Sequence, residues 1–404
     1  MINSWQQEKL KDICLKVTDG THDSPSPIDS GGYPLIKGKE ISNGYIDFDN
    51  CNYISEKDHL DVISRSKPEY EDILFANIGN SIGDCVFVET KKLFSIKNIA
   101  LFKPNKKKIY PKFLYYIVKS AQFQGEIKNK ISGSAQPFAS LNLLRNQKVK
   151  FPSLDEQKKI AEYIEKFELL IQKNLDLINL LKKNLKYTFE EYFLRFKLDN
   201  QKLEIDENTK LPISWKKVTL TQYIDLVKGI EPGNSEYENE KTLENVPFIR
   251  VGDLSKRASN IYVSKKKTGG ILVSENEILI SLDGSPGKVS FGKNGSYSSG
   301  IRKAVSKKKN LSNVFILNQL SSEYIKKLID SHANGTTILH AGSAVKKMKF
   351  YLPTDEILDL YNESEIDKFN LIIKLLKENI LLKEIFEIYY IRLMEGIIEI
   401  KDMN

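Results

Sequence analysis

Side chains that can place two hydrogen bonds on a nucleobase edge fall at matched places in the two halves of this sequence. Arg and Lys complement the acceptors of guanine, while Asn and Gln complement the donor–acceptor pair of adenine. After a Pro-containing apolar stretch stand Lys37 and Lys39 in one half, and Arg250 and Lys256 in the other. At a Gly/Ser turn, Asn77, Asn80 and Ser81 are answered by Asp283 and Ser285. Further along, Ser134 and Gln136 are answered by Thr336 and Thr337. Lys97, Arg302 and Lys303 supply charge suited to phosphates, contacts that position a duplex without specifying it. Gly79, Gly133, Gly284 and Gly335 would let backbone approach such a ligand closely. The net charge of +8 also favours a polyanionic partner.

Bond-breaking chemistry is less well supplied. Gly284-Ser285-Pro286-Gly287-Lys288 resembles part of a phosphate loop. However, Leu282 stands where the first Gly is required, and Val289 replaces the Ser or Thr that should follow the Lys. A metal-dependent nuclease remains as an alternative, with Glu69 or Glu71 and Glu89 holding Mg²⁺ and Lys91 orienting water. A two-domain scaffold that binds no nucleic acid is the other. His22, His59, His332 and His340 stand apart from one another, and Cys14, Cys51 and Cys85 form no CxxC. No metal site is therefore expected, and the thiols suit a reducing compartment, so the chain is expected to be cytoplasmic. No Gly-rich cofactor fingerprint occurs, so no cofactor is expected on this chain. With 41% hydrophobic and 28% charged residues and no apolar run long enough to span a bilayer, a globular protein without a membrane segment is expected.

The elements that must position these residues come in two copies. Trp5 leads to Leu10 as Trp215 leads to Leu220; Tyr33-Pro34-Leu35-Ile36 answers Val246-Pro247-Phe248-Ile249; Ile73-Leu74-Phe75 answers Ile278-Leu279-Ile280. Short strands and helices alternate within each copy, which predicts an α+β fold. Each copy runs into a long amphipathic helix after Pro152 or Pro353. In the first, Ile160, Ile164, Phe167, Ile171, Leu175, Ile178, Leu181, Leu185, Phe189, Phe193 and Phe196 recur at the 3.6-residue period of an α-helix. Ser153 and Glu156 fit a capping box at its start. In the second, Phe369, Ile372, Leu376, Asn379, Leu382 and Phe386 form the stripe, which continues to about Ile400. Two rods of about 60 Å would bury their stripes on each other in antiparallel fashion. Ile164, Ile171, Leu175 and Leu185 would face Phe369, Leu376, Leu382 and Phe386. The expected boundaries are 1–150, 151–198, 199–350 and 351–404.

Four segments carry a resemblance to a known family: LPISWKKVTL, EILIS with DGSPG, SGSAQP, and FPSLDEQKKIAEYIEKFE. Together they resemble the DNA-specificity (S) subunit of type I restriction–modification systems, over nearly the whole chain. Pro152, Glu156, Gln157 and Ile160 are the most specific part; the second copy departs from it, reading TDEILDLY after Pro353 without the Gln. The resemblance implies two target-recognition domains separated by a pair of long antiparallel, coiled-coil-like helices in a pseudo-twofold repeat. It implies a non-catalytic chain that reads a bipartite, asymmetric site in double-stranded DNA. It also implies docking of two modification (methyltransferase) subunits and of restriction subunits, with Glu156, Gln157 and Ile160 in the partner interface. S-adenosylmethionine, Mg and ATP would be bound in those partners.

Overall fold

The computed structural model describes residues 5–42, 44–131, 137–198, 201–255, 259–333 and 339–400. The chain divides into two compact units, Met1–Leu170 with Leu382–Asn404, and Ile171–Leu381. The boundaries expected from sequence set the long helices apart as segments of their own. The compact units instead each take part of each helix.

In the first unit, a four-stranded antiparallel sheet runs in the order Cys14–Asp19, Ala100–Pro104, Ile73–Phe75, Cys85–Phe87. Ile73-Leu74-Phe75 is apolar at every position because both faces of the sheet are covered. Ile73 and Phe75 point into a core with Phe102, Phe113 and Tyr116, while Leu74 points into a second core with Ile36, Val88 and Ile96. A three-stranded sheet adds Asn52–Ile54 antiparallel to Tyr33–Ile36, and Ser95–Ile96 parallel to it. Gln6–Lys9 pairs with Lys148–Phe151 and ties the two ends of the unit together.

The second unit repeats this plan strand for strand. Its four-stranded sheet reads Ile224–Lys228, Ile301–Ser306, Ile278–Ser281, Val289–Ser290. Its three-stranded sheet joins Tyr262–Ser264, Asn245–Ile249 and Ser296–Tyr297, the last again parallel. Ile278 and Ile280 face one core and Leu279 the other, as their counterparts do. Lys216–Thr219 pairs with Lys349–Leu352 where Gln6–Lys9 pairs with Lys148–Phe151. The α+β duplication read from the landmarks is thus the observed architecture.

Both long helices form, each of 40 residues, as Leu154–Phe193 and Asp355–Met394. The first stops three residues short of its apolar stripe, because Phe196 adopts a left-handed φ of 55° and turns its ring onto Trp215 instead. The second ends before Gly396, whose φ of 67° closes the helix. A Cβ at that glycine would collide with the Trp5 indole, so the turn needs glycine on both counts.

Within each unit the two helices run antiparallel. In the first, Tyr163 meets Tyr389 and Phe167 meets Phe386, each at 6.3 Å between ring centroids. In the second, Asn174 meets Asn379 and Asn184 meets Lys368. The stripes do more than pair with each other, because Ile164 lies in the first unit's core, and Leu185 and Phe369 lie in the second's. Leu376 packs beside Gly292, while Ile171, Leu175 and Leu382 are half-buried.

One polar pair interrupts the apolar seam. Asn174 Nδ2 donates to Asn379 Oδ1 at 3.0 Å, and both side chains are buried. A buried amide without its partner costs about 1–3 kcal/mol, whereas replacing both by apolar groups is close to neutral. Asn379→Leu should therefore lower the unfolding free energy by about that amount. Asn174→Leu/Asn379→Leu should recover most of the loss in a denaturant titration. A double variant no more stable than the single one would mean that the pair is not a coupled unit.

Candidate nucleic-acid interface

The loops that leave the sheets of the first unit at one end are stitched together by backbone hydrogen bonds. Thr21 N donates to Ile96 O at 3.0 Å, Lys97 N to Ile36 O at 2.9 Å, and Asn98 N to Thr21 O at 3.2 Å. The segment entering Lys37 is therefore fixed beside the one carrying Lys97. Lys37 opens a 3₁₀ turn, Gly38–Ile41, whose buried Glu40 carboxylate accepts from Lys37 N at 3.0 Å. Ser81, from the Gly79–Ser81 turn, sits directly against Gly38, where a Cβ would come within 2.6 Å of its Oγ. Lys37, Lys39, Asn80, Ser81 and Lys97 are thereby gathered on one loop cluster, with Lys39 and Asn80 exposed. The Lys97 ammonium donates to Ser24 Oγ, which adds the 20–24 loop to the cluster.

The second unit builds the same cluster from different side chains. Ile230 N donates to Tyr297 O and Ser298 N to Ile249 O, both at 2.9 Å. Arg250 opens the turn Val251–Asp253, and buried Asp253 accepts from Arg250 N at 3.0 Å, as Glu40 does for Lys37. Gly284 and Gly300 both lie against Val251, so the turn holding Asp283 and Ser285 abuts the Arg250 turn. Asp283 pairs with His340 across the Asp283–Gly284 and Leu339–His340 strands, at 2.8 Å from Nδ1.

Several expected contacts are turned inward. Asn77 is fully buried; its Nδ2 donates to Ala139 O and its main-chain carbonyl accepts from Ala139 N, so it pins one loop to another and cannot read a base. The Arg302 guanidinium is spent on the Ser299 and Ile301 carbonyls and on Asp283 at 3.4 Å, leaving it 14% exposed and closed to phosphate. Lys303 donates to Leu272 O and pairs with Glu277, each at 2.9 Å, and is likewise committed to the fold. Ser134, Gln136, Lys256, Thr336 and Thr337 lie outside the described residues.

The helix start is corrected in the same way. Gln157 is fully buried: Oε1 accepts from Tyr110 N at 2.7 Å and Nε2 donates to Pro152 O at 2.9 Å. Ile160 is buried in the first unit's core. Both clamp the helix to its own unit and present nothing to a partner; only Glu156 of the three keeps partial exposure. Ser153 Oγ accepts from Glu156 N at a weak 3.4 Å, so Gln157 fastens this end more firmly than the expected capping box.

The nuclease alternative fails on the state of its carboxylates. Glu69 pairs with Lys67 and Lys103, Glu71 with Lys106, and Glu89 with Lys112. The hydrogen bond from Lys103 holds the Glu69 carboxyl below its ordinary range. Among the described residues no group of three His, Cys, Asp or Glu side chains could hold a metal. The runs of three lysines at 106–108, 265–267 and 307–309 are also largely paired, for example Lys108 with Glu8 and Lys307 with Asp225.

Sequence reasoning missed His22, Asn98, Glu231, Ser299 and His340, all of which lie in the clusters. A signal was present in Gly20-Thr21-His22 and Gly229-Ile230-Glu231, where glycine precedes each loop.

Residues 2–187 and 212–388 match the family model described as the type I restriction modification DNA specificity domain. A Methanocaldococcus jannaschii chain named as the type I restriction enzyme MjaX specificity subunit is 28% identical over 353 residues, covering 82% of this chain and 78% of that one. The type I restriction enzyme MjaVIII specificity subunit of the same organism is 23% identical, covering 76% of this chain and 75% of its own. The crystal structure of a type I restriction–modification S subunit from M. genitalium superposes with a TM-score of 0.63 at 15% identity, over 97% of both chains.

The inward and outward cations should separate in one experiment. Arg302→Ala should lower the unfolding midpoint, since it strips partners from two carbonyls and Asp283, while Lys39→Ala, which loses only a solvent-exposed ammonium 3.3 Å from Glu40, should lower it much less. Lys39→Ala should instead reduce the slope of log affinity for duplex DNA against log salt by about one. Equal effects of the two variants on stability would contradict this assignment.

Proposed function

Because this chain belongs to the type I restriction modification DNA specificity family, we propose that it is the sequence-reading subunit of a type I restriction–modification complex. Each unit reads one half of a bipartite site in double-stranded DNA. The observation that carries this reading is the duplicated loop cluster, alike in backbone and unlike in side chains. Lys37 and Glu40 of one unit stand where Arg250 and Asp253 stand in the other. Unlike side chains on like scaffolds read unlike half-sites, so the site is asymmetric.

The chain itself contributes no catalysis. Methyl transfer, with S-adenosylmethionine, and any ATP- and Mg-dependent cleavage belong to the modification and restriction subunits it recruits. The target adenine leaves the helical stack to reach a methyltransferase pocket. The work of this chain is to set where. Within the second unit the long helices offer the docking surface: Leu177, Leu180 and Tyr187 on one, and Leu381 on the other, are large apolar residues left exposed. Charged substitutions there, such as Leu180→Glu with Leu381→Glu, should reduce co-purification with the methyltransferase subunits. The unfolding midpoint should stay the same, and undiminished co-purification would locate the docking surface elsewhere. Among the described residues no helix is long and apolar enough to cross a membrane. On this reading the chain works in the cytoplasm, where its DNA partner lies.

Two measurements test the reading. Affinity for duplex DNA should fall linearly on a log–log plot as salt rises from about 50 to 200 mM. Replacing residues 212–350 by the same region of a relative should change one half of the methylated motif and leave the other half intact. No salt-sensitive DNA retention by the assembled complex, or a change in both halves, would refute it.

A further inference from the structure

Matched backbone carries unmatched chemistry at one more place. Beyond Gly20 and Gly229, a parallel bridge joins Thr21 to Lys97 in the first unit and Ile230 to Ser298 in the second. The residues that follow on either side of each bridge hydrogen-bond to each other through their side chains. In the first unit His22 Nδ1 meets Asn98 Oδ1 at 2.9 Å. In the second, the Ser299 hydroxyl donates to Glu231 Oε2. His22 and Glu231 are exposed, and Asn98 and Ser299 half-exposed. The same two points of the scaffold thus hold an imidazole–amide pair in one unit and a carboxylate–hydroxyl pair in the other.

Each pair has a cation beside it. Lys97 precedes Asn98 in the chain, and the backbone bond from Lys97 N to Ile36 O sets Lys37 alongside. The bond from Ser298 N to Ile249 O does the same for Arg250 beside Ser299. Arg250 is exposed and Lys37 and Lys97 are half-exposed. Cations flanking a fixed polar pair divide the labour of DNA recognition: charge for phosphates, neutral or anionic acceptors and donors for base edges.

The groups present define what each pair can read. With Asn98 Oδ1 held by His22, the Nδ2 end of the amide is turned the other way, and Oδ1 keeps a second lone pair. An amide so oriented presents the donor–acceptor fork that matches adenine N7 and N6. Asn98 also takes a left-handed φ of 54°, a conformation Asn tolerates better than most residues, and it fixes the direction in which the amide leaves the chain. His22 is itself braced, with Nε2 at 3.0 Å from the buried Asp19 carboxylate, which also takes Arg65. Glu231 is different in kind. One carboxylate oxygen is occupied by Ser299, and the other can only accept. A bare carboxylate facing a polyanion is repelled unless a base amine meets it, and cytosine N4 is the amine that Glu and Asp read.

We propose that His22–Asn98 and Glu231–Ser299 are the equivalent specificity-determining pairs of the two units, the first selecting adenine and the second cytosine. This rests on the DNA-reading function given above. Isosteric changes test it without disturbing the scaffold: Asn98→Asp keeps the left-handed position, and Glu231→Gln keeps the acceptor of the Ser299 hydroxyl. The full chain would be co-expressed with its methyltransferase subunits in a host lacking DNA methylation, and the methylated motif read by long-read sequencing. Each variant should alter one base pair of one half-site, with discrimination there falling on the order of tenfold to a hundredfold. Glu231→Gln should move its position from cytosine towards adenine. An unchanged motif in both variants would overturn the proposal. Loss of methylation at every site would do so as well, since it would make the pairs scaffold rather than readers. A wild-type complex that marks no recurring motif would fail the functional reading itself, before either variant is compared.

Discussion

No side chain fits at Gly20 or Gly229. A Cβ on the first would collide with the carbonyl of Ile96, and a Cβ on the second with the carbonyls of Tyr297 and Ser298. Neither glycine has a positive φ, so the demand here is for space and not for an unusual dihedral. The close approach lets the chain leaving the antiparallel sheet bond in parallel to the one leaving the three-stranded sheet. From that crossing the rest of the loop cluster follows. Lys97 and Ser298 are anchored by it, and the buried carboxylates Glu40 and Asp253 then fix the turns that carry Lys37 and Arg250.

Rigidity of this kind is what a reading surface requires, since hydrogen bonds to base edges discriminate only when the groups offering them are held in place. The sheets beneath supply the stiffness. With apolar cores on both faces of Ile73–Phe75 and of Ile278–Ser281, neither sheet can slide in register without exposing one of its cores. The loops can accordingly be polar and exposed at little cost to the fold.

Much of the architecture was readable because its landmarks are strongly constrained. Two Trp residues, two Pro-headed strands and two uninterrupted helical stripes have few structural alternatives, and their repetition gave the α+β duplication. The loops were only partly readable. Composition marks Arg302 and Lys303 as cations, yet it cannot tell that the Arg302 guanidinium will be met by nearby carbonyls and Asp283 before any phosphate. Gln157 shows the same limit: an amide in a helix's first turn reads as available, while here both its ends are used within the unit. His22–Asn98 and Glu231–Ser299 are separated by 76 and 68 residues, so their meeting depends on sheet pairing that no local pattern encodes. Phe196 kept the apolar period past the true helix end because periodicity records which residues are buried, not whether the backbone is still helical.

Duplication explains why such a surface can change its reading without losing its fold. The backbone bonds that hold the clusters involve main-chain atoms and two buried carboxylates, whereas the side chains at 22, 98, 231 and 299 bond to one another, with His22 also reaching the Asp19 carboxylate. Substituting an exposed pair therefore removes little that the core depends on, and surface changes away from buried features cost within about 0.5 kcal/mol. Arg302 and Asp283 lie on the other side of that division, since their contacts hold the turn itself. On the proposed reading, a protein built in this way separates the residues that make it stable from those that make it specific. In the two units one set of backbone bonds supports an imidazole and an amide in the first and a carboxylate and a hydroxyl in the second.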